Sequence, residues 1–219
     1  DWAVELFQWF NYYLKDIGDE PEPMVQIQTN DGRWHVEDTW PPEDMTWNLA
    51  DIGTDWMVTG DTVNGQGASV TLVSGELTEL THISGLPTLH LEVTTQACQG
   101  GQIFATLYDN EDNLRLGHAT MDVRYRDGGY DAKATSPFSS YTMLMEFNPL
   151  DVVVPAGHTL RIELTENGED YLPSPCASNP LGGLTVDGGV VGLPIIDRPK
   201  SHDSWFLAPP WWEQQPIPE

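Results

Sequence analysis

Thr88-Leu-His-Leu-Glu-Val-Thr94 and Gln102-Ile-Phe-Ala-Thr-Leu-Tyr108 decide the fold class of this chain. In the first stretch Leu89, Leu91 and Val93 point one way, and Thr88, His90, Glu92 and Thr94 point the other. A period of two marks a strand with one buried face. The second stretch repeats the alternation, and Gly100-Gly101 between them is a turn signal. Asp109-Asn-Glu-Asp-Asn113 then turns the chain toward a strand near 115–124. Upstream, Met24-Val-Gln-Ile-Gln-Thr29 and Arg33-Trp-His-Val-Glu37 read as the arms of a hairpin around Asn30-Asp-Gly32, broken by Trp40-Pro-Pro42. Two short strands fit within 45–60, and Asn64-Gly-Gln-Gly67 is a loop. Further strands are expected at 141–147, 159–165, 184–187 and 190–193. About ten short strands beside one helix indicate an all-β fold: an antiparallel jelly-roll β-sandwich, galactose-binding-like, with one N-terminal helix.

That helix covers residues 2–15. Trp2, Leu6, Trp9 and Tyr13 form one apolar row, and Ala3, Phe7, Phe10 and Leu14 form the next. Glu5, Gln8, Asn11 and Lys15 leave only a narrow polar stripe. So wide an apolar face is usually covered on two sides. Gly18 and Pro21 end the helix. The chain is accordingly divided into a helix at 1–16, a sandwich at 17–197, and an irregular Pro- and Trp-rich tail at 198–219.

The charge balance is extreme: 34 acidic residues face 9 basic ones, for a formal net charge of -25. Phosphate backbones and anionic membrane surfaces would be repelled, so neither nucleic acid nor membrane is an expected partner. Nine Trp, seven Tyr and six Phe argue against disorder. A folded domain this acidic repels itself in dilute buffer, a cost that fades at molar salt, where the screening length is about 3 Å. A salt-loving source is the expectation. The chain opens at Asp1 with no basic-then-apolar leader, and reads as a processed or excised piece. Whether it works in the cytoplasm or outside the cell stays open. Cys98 and Cys176 both fall in segments read as loops. Two free thiols are expected, with a disulfide as the alternative.

No residue here reads as catalytic. A nucleophile elbow needs Gly-x-Ser-x-Gly, and the nearest approach, Gly67-Ala-Ser-Val-Thr71, ends wrongly and lacks a following helix. Asp51-Ile-Gly-Thr54 matches the short signature of aspartic proteases, but no second Asp-Thr-Gly supplies the other carboxylate, so a turn is expected. His35, His82, His90, His118, His158 and His202 form no His-x-His or His-x-x-x-His pair, and are read as structural. His158, in a Pro-Ala-Gly-His turn, is expected to bond a backbone carbonyl, and His90 to face solvent. Asp109, Asp112 and Asp122 could offer oxygens to a hard cation, but the Asp-x-Asp-x-Asp-Gly loop pattern is absent. No metal and no cofactor are therefore expected.

The order of landmarks resembles the C-terminal domain of X-Pro dipeptidyl-peptidase and the cocaine esterase-like hydrolases. The stretches are Trp9-Phe-Asn-Tyr-Tyr-Leu-Lys15, Trp34, Trp40-Pro-Pro42, Ile83-Ser-Gly-Leu-Pro87, Ile103-Phe-Ala-Thr-Leu-Tyr-Asp109, Pro155-Ala-Gly-His-Thr-Leu-Arg161 and Gly192-Leu-Pro194. The resemblance implies a two-part serine hydrolase, in which an α/β-hydrolase body carries the Ser-Asp-His triad and a β-sandwich covers it. In that family the body precedes the segment where this chain starts. No triad residue can be carried over, and the implied partner is that body on the same polypeptide.

Trp34, Trp40, Trp47 and Trp56 crowd one stretch, and Trp205, Trp211 and Trp212 crowd the tail. Tryptophan buries large area while keeping one donor, so packing and interface roles are expected, with Trp2, Leu6, Trp9 and Tyr13 facing the hydrolase body. Two other readings compete with the accessory domain. One is a free-standing carbohydrate-binding sandwich whose tryptophans stack on sugar rings. The other is a homo-oligomer joined through the helix face and the tail.

Overall fold

The computed structural model describes residues 2–21, 25–98, 100–128, 130–168, 172, 176–179, 181–197 and 205–206. One helix, α1 (Trp2–Lys15), precedes strands β1 (Val25–Gln28), β2 (Trp34–Glu37), β3 (Thr46–Asp51), β4 (Trp56–Thr59), β5 (Thr62–Val63), β6 (Val70–Ser74), β7 (Thr81–Gly85) and β8 (Thr88–Thr95). They are followed by β9 (Gln102–Asp109), β10 (Leu114–Asp122), β11 (Ser140–Glu146), β12 (Leu150–Val154), β13 (Leu160–Thr165), β14 (Leu184–Ile196) and β15 (Trp205–Phe206). The chain forms two compact units, Asp44–Asp197 and Asp1–Glu43 with Arg198–Glu219.

The larger unit is a β-sandwich. One sheet runs β10-β9-β13-β6-β4; the other runs β11-β8-β14-β7-β12, with β3 and β5 also pairing with β14. The strand ladders are antiparallel throughout. The inner faces meet as the alternation requires: Leu89, Leu91, Val93, Met143 and Met145 of one sheet share a core with Leu72, Ile103, Ala105, Leu107, Ile162 and Leu164 of the other. On β8, His90 and Glu92 are exposed. On β9 the outward Phe104 and Thr106 are buried as well. Phe104 is covered in part by Gly168, just after β13, which lies against its ring.

Three strands escape a pattern reading. Leu150–Val154 is buried at every position, so it has no alternation to show. Thr81–Gly85 places His82 and Ser84 out of water, which inverts the usual code. Val70–Ser74 buries Val70 and Leu72 directly after a loop signal. The two short strands read at 184–187 and 190–193 are one, β14, whose register shifts between Val186 and Gly188. A bulge there interrupts the period without ending the strand.

The expectation of free thiols is wrong: Cys98 and Cys176 form a disulfide with Cα atoms 5.9 Å apart. They lie 78 residues apart in sequence. The β8–β14 ladder pairs Thr95 with Leu184, and Gln96 N–H and Ala97 N–H donate to the carbonyls of Gly183 and Leu181. The two loops are therefore zipped together up to the cysteines, a proximity that only the strand register reveals.

The smaller unit holds α1 and a sheet ordered β1-β2-β15. The β1–β2 turn is tied by Thr29 Oγ1 donating to Asp31 Oδ1 at 2.5 Å and Arg33 Nε donating to Asp31 Oδ2 at 2.7 Å. Burial works to raise the Asp31 pKa, but these bonds and the Arg33 charge outweigh it and hold the carboxyl below its usual range. Trp205–Phe206 pairs with Trp34 and His35; the rest of the tail lies outside the described residues. Among the described residues, no helix is long and apolar enough to cross a membrane.

Candidate functional site

Ser69 lies in an exposed loop and leads into strand β6, not a helix, so the strained turn of a nucleophile elbow is not built. Asp51 closes β3 and opens a turn: its backbone N–H donates to Asp55 Oδ2 at 2.9 Å, and its carbonyl accepts from Asp55 N–H at 2.9 Å.

The histidines sort by partner. His35 is buried, with Nδ1 2.7 Å from Glu37 Oε1 along β2. His82 on β7 pairs through Nε2 with Asp151 on β12, both almost wholly out of water. Cross-strand register brings them together, because Ser84 lies opposite Asp151 and Val153 opposite His82. His118 is half-buried, its ring 5.7 Å from that of Phe104, and His90 is exposed. His202 lies outside the described residues.

His158 does not use a backbone carbonyl as its ring acceptor. Its Nδ1 sits 2.9 Å from both carboxylate oxygens of Asp109, which is buried at the end of β9. The pairing arises because β13 lies beside β9, so the turn entering β13 lands on the end of β9. Glu111 secures the same corner, accepting from the Thr159 backbone N–H at 2.6 Å and from Thr159 Oγ1 at 3.0 Å. Of the three carboxylates considered as cation ligands, Asp109 and Asp112 do converge, with His158, their ligand atoms within 4.8 Å of one another. Asp122 does not join them; it binds Arg124, with Nη2 2.6 Å from Oδ2.

The Asp109 hydrogen bond, opposed by partial burial and reinforced by the charges of Asp109, Asp112 and Glu111, raises the His158 pKa. The corner thus reads as a clamp between β9 and the turn entering β13. A raised pKa fixes the sign of a pH effect. The stabilisation is complete below the unfolded value, about 6.5. It is lost as pH rises through the folded value. The melting temperature should fall as pH rises above about 6.5, and His158→Gln should flatten that fall. An unchanged slope in the variant would refute the clamp.

The aromatic candidates separate. Trp56 is 2 % exposed and belongs to the core, so it cannot stack on a sugar. Trp47 on β3 is 46 % exposed. Trp34 and Trp40 are half-buried. Trp205 is placed by its backbone in β15, while Trp211, Trp212 and the Trp2 side chain lie outside the described residues. On α1, Leu6, Trp9 and Tyr13 stand out to water, as do Phe7 and Leu14 on the adjoining row. The rings shelter one another, with centroids 5.4 Å apart for Trp9 and Phe10 and 4.9 Å for Trp9 and Tyr13. Within its unit this face is apolar, aromatic and uncovered.

A family model described as the X-Pro dipeptidyl-peptidase C-terminal non-catalytic domain matches residues 46–181. That span runs from β3 through β13 and includes the His82–Asp151 and His158–Asp109 pairs. A protein of Bacillus anthracis named as a Xaa-Pro dipeptidyl-peptidase is 24% identical over 226 residues, covering 90% of this chain and 37% of its own length. Among solved structures, an aminopeptidase from a marine sediment Thaumarchaeota archaeon aligns with a TM-score of 0.66 at 15% identity, over 90% of this chain and 44% of the other. A CocE/NonD family hydrolase from Staphylococcus aureus aligns at 0.62 and 14% identity, over 89% of this chain and 46% of the other. The chain therefore spans less than half the length of each of these proteins.

Proposed function

This chain belongs to the family of X-Pro dipeptidyl-peptidase C-terminal non-catalytic domains, and on that premise we propose that it is the accessory sandwich of a serine hydrolase, covering and shaping the active site of a catalytic body. The observation that carries the reading is the match over 46–181 to a domain described as non-catalytic. The sequence agrees with it, since no Gly-x-Ser-x-Gly occurs anywhere in the 219 residues. The parent would be a dipeptidyl-peptidase, an esterase or an acylase, and its chemistry would lie in an α/β-hydrolase body toward the amino end of the same polypeptide.

The exposed apolar face of α1 supports a contact with that body. Trp2, Leu6, Trp9 and Tyr13 share one helical row, and apolar area of this kind stabilises a contact by about 25 cal/mol per Å² buried. We assign the sandwich a jelly-roll, galactose-binding-like winding, the arrangement its two antiparallel sheets favour. The net charge of -25 fits work at high salt. Melting temperature should therefore climb between 0.1 and 3 M sodium chloride, and a flat response would remove that habitat.

The test of function uses the whole polypeptide, obtained by extending the reading frame toward the amino end. Trp9→Asp with Leu6→Asp should disturb the seating of the sandwich. The ratio of kcat/KM for a dipeptide amide to that for a small ester should then shift severalfold, with the catalytic body still folded. Identical ratios in variant and parent would contradict the covering role.

A further inference from the structure

We propose that the groove where β5, β8 and β14 meet at one end of the sandwich binds a single neutral pyranose ring. Thr62, Asn64, Gln96, Phe138 and Leu181 line it, and its volume is about 240 Å³. Pockets for drug-sized ligands run to about 300–1,000 Å³, so this one suits one ring and not a chain of them.

Ladder register builds the polar side. Leu184 of β14 pairs with Val63 on one flank and with Thr95 on the other, so β5 and β8 end beside each other across β14. Each polar side chain there has part of its bonding capacity used and part left over. Asn64 Oδ1 accepts from the backbone N–H groups of Gln66 at 3.0 Å and Ala68 at 3.1 Å, which leaves its NH₂ group as a donor. Gln96 Nε2 donates to Thr185 Oγ1, which leaves Oε1 as an acceptor. Thr62 Oγ1 donates to Asp61 Oδ1 at 3.0 Å and keeps its lone pairs. Donors and acceptors side by side match hydroxyl groups, which are both at once. None of the described lining residues is charged, in a chain with 34 acidic residues, and a neutral ligand is the one that fits.

The apolar side stands in water at a cost. Phe138 and Leu181 are 71 % and 69 % exposed. Phe138 has φ +55°, a region that a bulky side chain enters only when its surroundings impose it. Buried Thr95 imposes it. The Thr95 carbonyl accepts from Phe138 N–H at 2.9 Å; its Oγ1 donates to the Ser136 carbonyl at 2.6 Å and accepts from Ser139 N–H at 3.2 Å. The next two residues fix the segment that carries Leu181. Gln96 N–H donates to the Gly183 carbonyl at 3.1 Å, and Ala97 N–H to the Leu181 carbonyl at 3.0 Å. One run, Thr95-Gln96-Ala97, therefore sets both apolar residues and supplies a polar group between them in sequence. A groove fixed in advance loses little on ordering when its ligand arrives. An aromatic face and an aliphatic group take the C–H faces of the sugar, and the amides take its hydroxyl edge.

The test titrates the purified chain with methyl glucopyranoside, methyl galactopyranoside and methyl mannopyranoside, read by saturation-transfer NMR. N-acetylproline methylamide stands for an apolar peptide. At least one glycoside should bind saturably, with Kd on the order of 1 mM. Phe138→Gly should weaken that binding about tenfold or more while the melting temperature holds or rises, because glycine adopts this φ freely. Leu181→Ala should weaken it severalfold. Trp47→Ala, outside the groove lining, should leave it unchanged. No saturable binding of any of the three glycosides up to about 50 mM would overturn the site. So would equal binding by Phe138→Gly and parent, loss of binding in Trp47→Ala, or tighter binding of N-acetylproline methylamide than of every glycoside.

Discussion

Asp151→Ala should destabilise the sandwich by about 3 kcal/mol, the upper end for leaving a buried hydrogen-bonding partner unsatisfied. Asp151 lies on β12, buried along its whole length, and its carboxylate meets His82 Nε2 across the β7–β12 ladder. Both side chains are 4% exposed, so little water can replace the lost acceptor. For a protein of this size each kcal/mol moves the melting temperature by about 2–4 °C. A drop on the order of 10 °C follows, measured at fixed salt because the whole chain is acidic. His82→Leu combined with Asp151→Leu should recover most of the loss, since a matched apolar pair avoids the desolvation that the polar pair suffers. A single variant costing less than about 1 kcal/mol would show that the pair is incidental.

Gly189→Ala should be worse. Gly189 has φ +149°, and an added β-carbon would lie 2.0 Å from the His90 carbonyl oxygen and 3.1 Å from Leu91 Cα. Both neighbours are backbone of the central β8–β14 ladder, so neither can rotate away. Strain at such a φ alone costs about 1–3 kcal/mol, and separating the strands adds to it. The expected total exceeds about 4 kcal/mol, the territory of named structural failures. Gly188→Ala is the matched control. Its added carbon meets nothing within 4 Å, and the cost should stay under about 1 kcal/mol. Equal effects at the two positions would mean that the register through the bulge is not as described. Chemical denaturation read by tryptophan fluorescence distinguishes these outcomes, because Trp56 reports on the core directly.

What could be read from the chain follows from where period two survives. Leu89, Leu91 and Val93 alternate cleanly because β8 has one face on the core and one toward water. Helix α1 was legible down to its ends, Trp2 and Lys15, because an apolar row with a polar stripe needs no partner to be seen. β12 and β7 were opaque for the opposite reason: one is buried throughout, Asp151 included, and the other carries His82 and Ser84 indoors. The side-chain pairs that tie the sandwich join residues far apart in sequence, 49 for His158 with Asp109 and 69 for His82 with Asp151. One hint was available. The stretches Ile103–Asp109 and Pro155–Arg161, quoted for the family resemblance, are the two that meet at the His158–Asp109 corner. There too the Arg161 guanidinium lies 4.4 Å over the Tyr108 ring. The disulfide was invisible for the same reason, since loop length says nothing about which loops a ladder zips together.

The central claim is that these 219 residues have no bond-breaking machinery of their own. Its most direct test is turnover by the purified chain, in 0.1 and 3 M salt, of Ala-Pro-p-nitroanilide and simple p-nitrophenyl esters. The account predicts hydrolysis at the rate of buffer alone, with no labelling by a fluorophosphonate. Saturable turnover abolished by that reagent would contradict it.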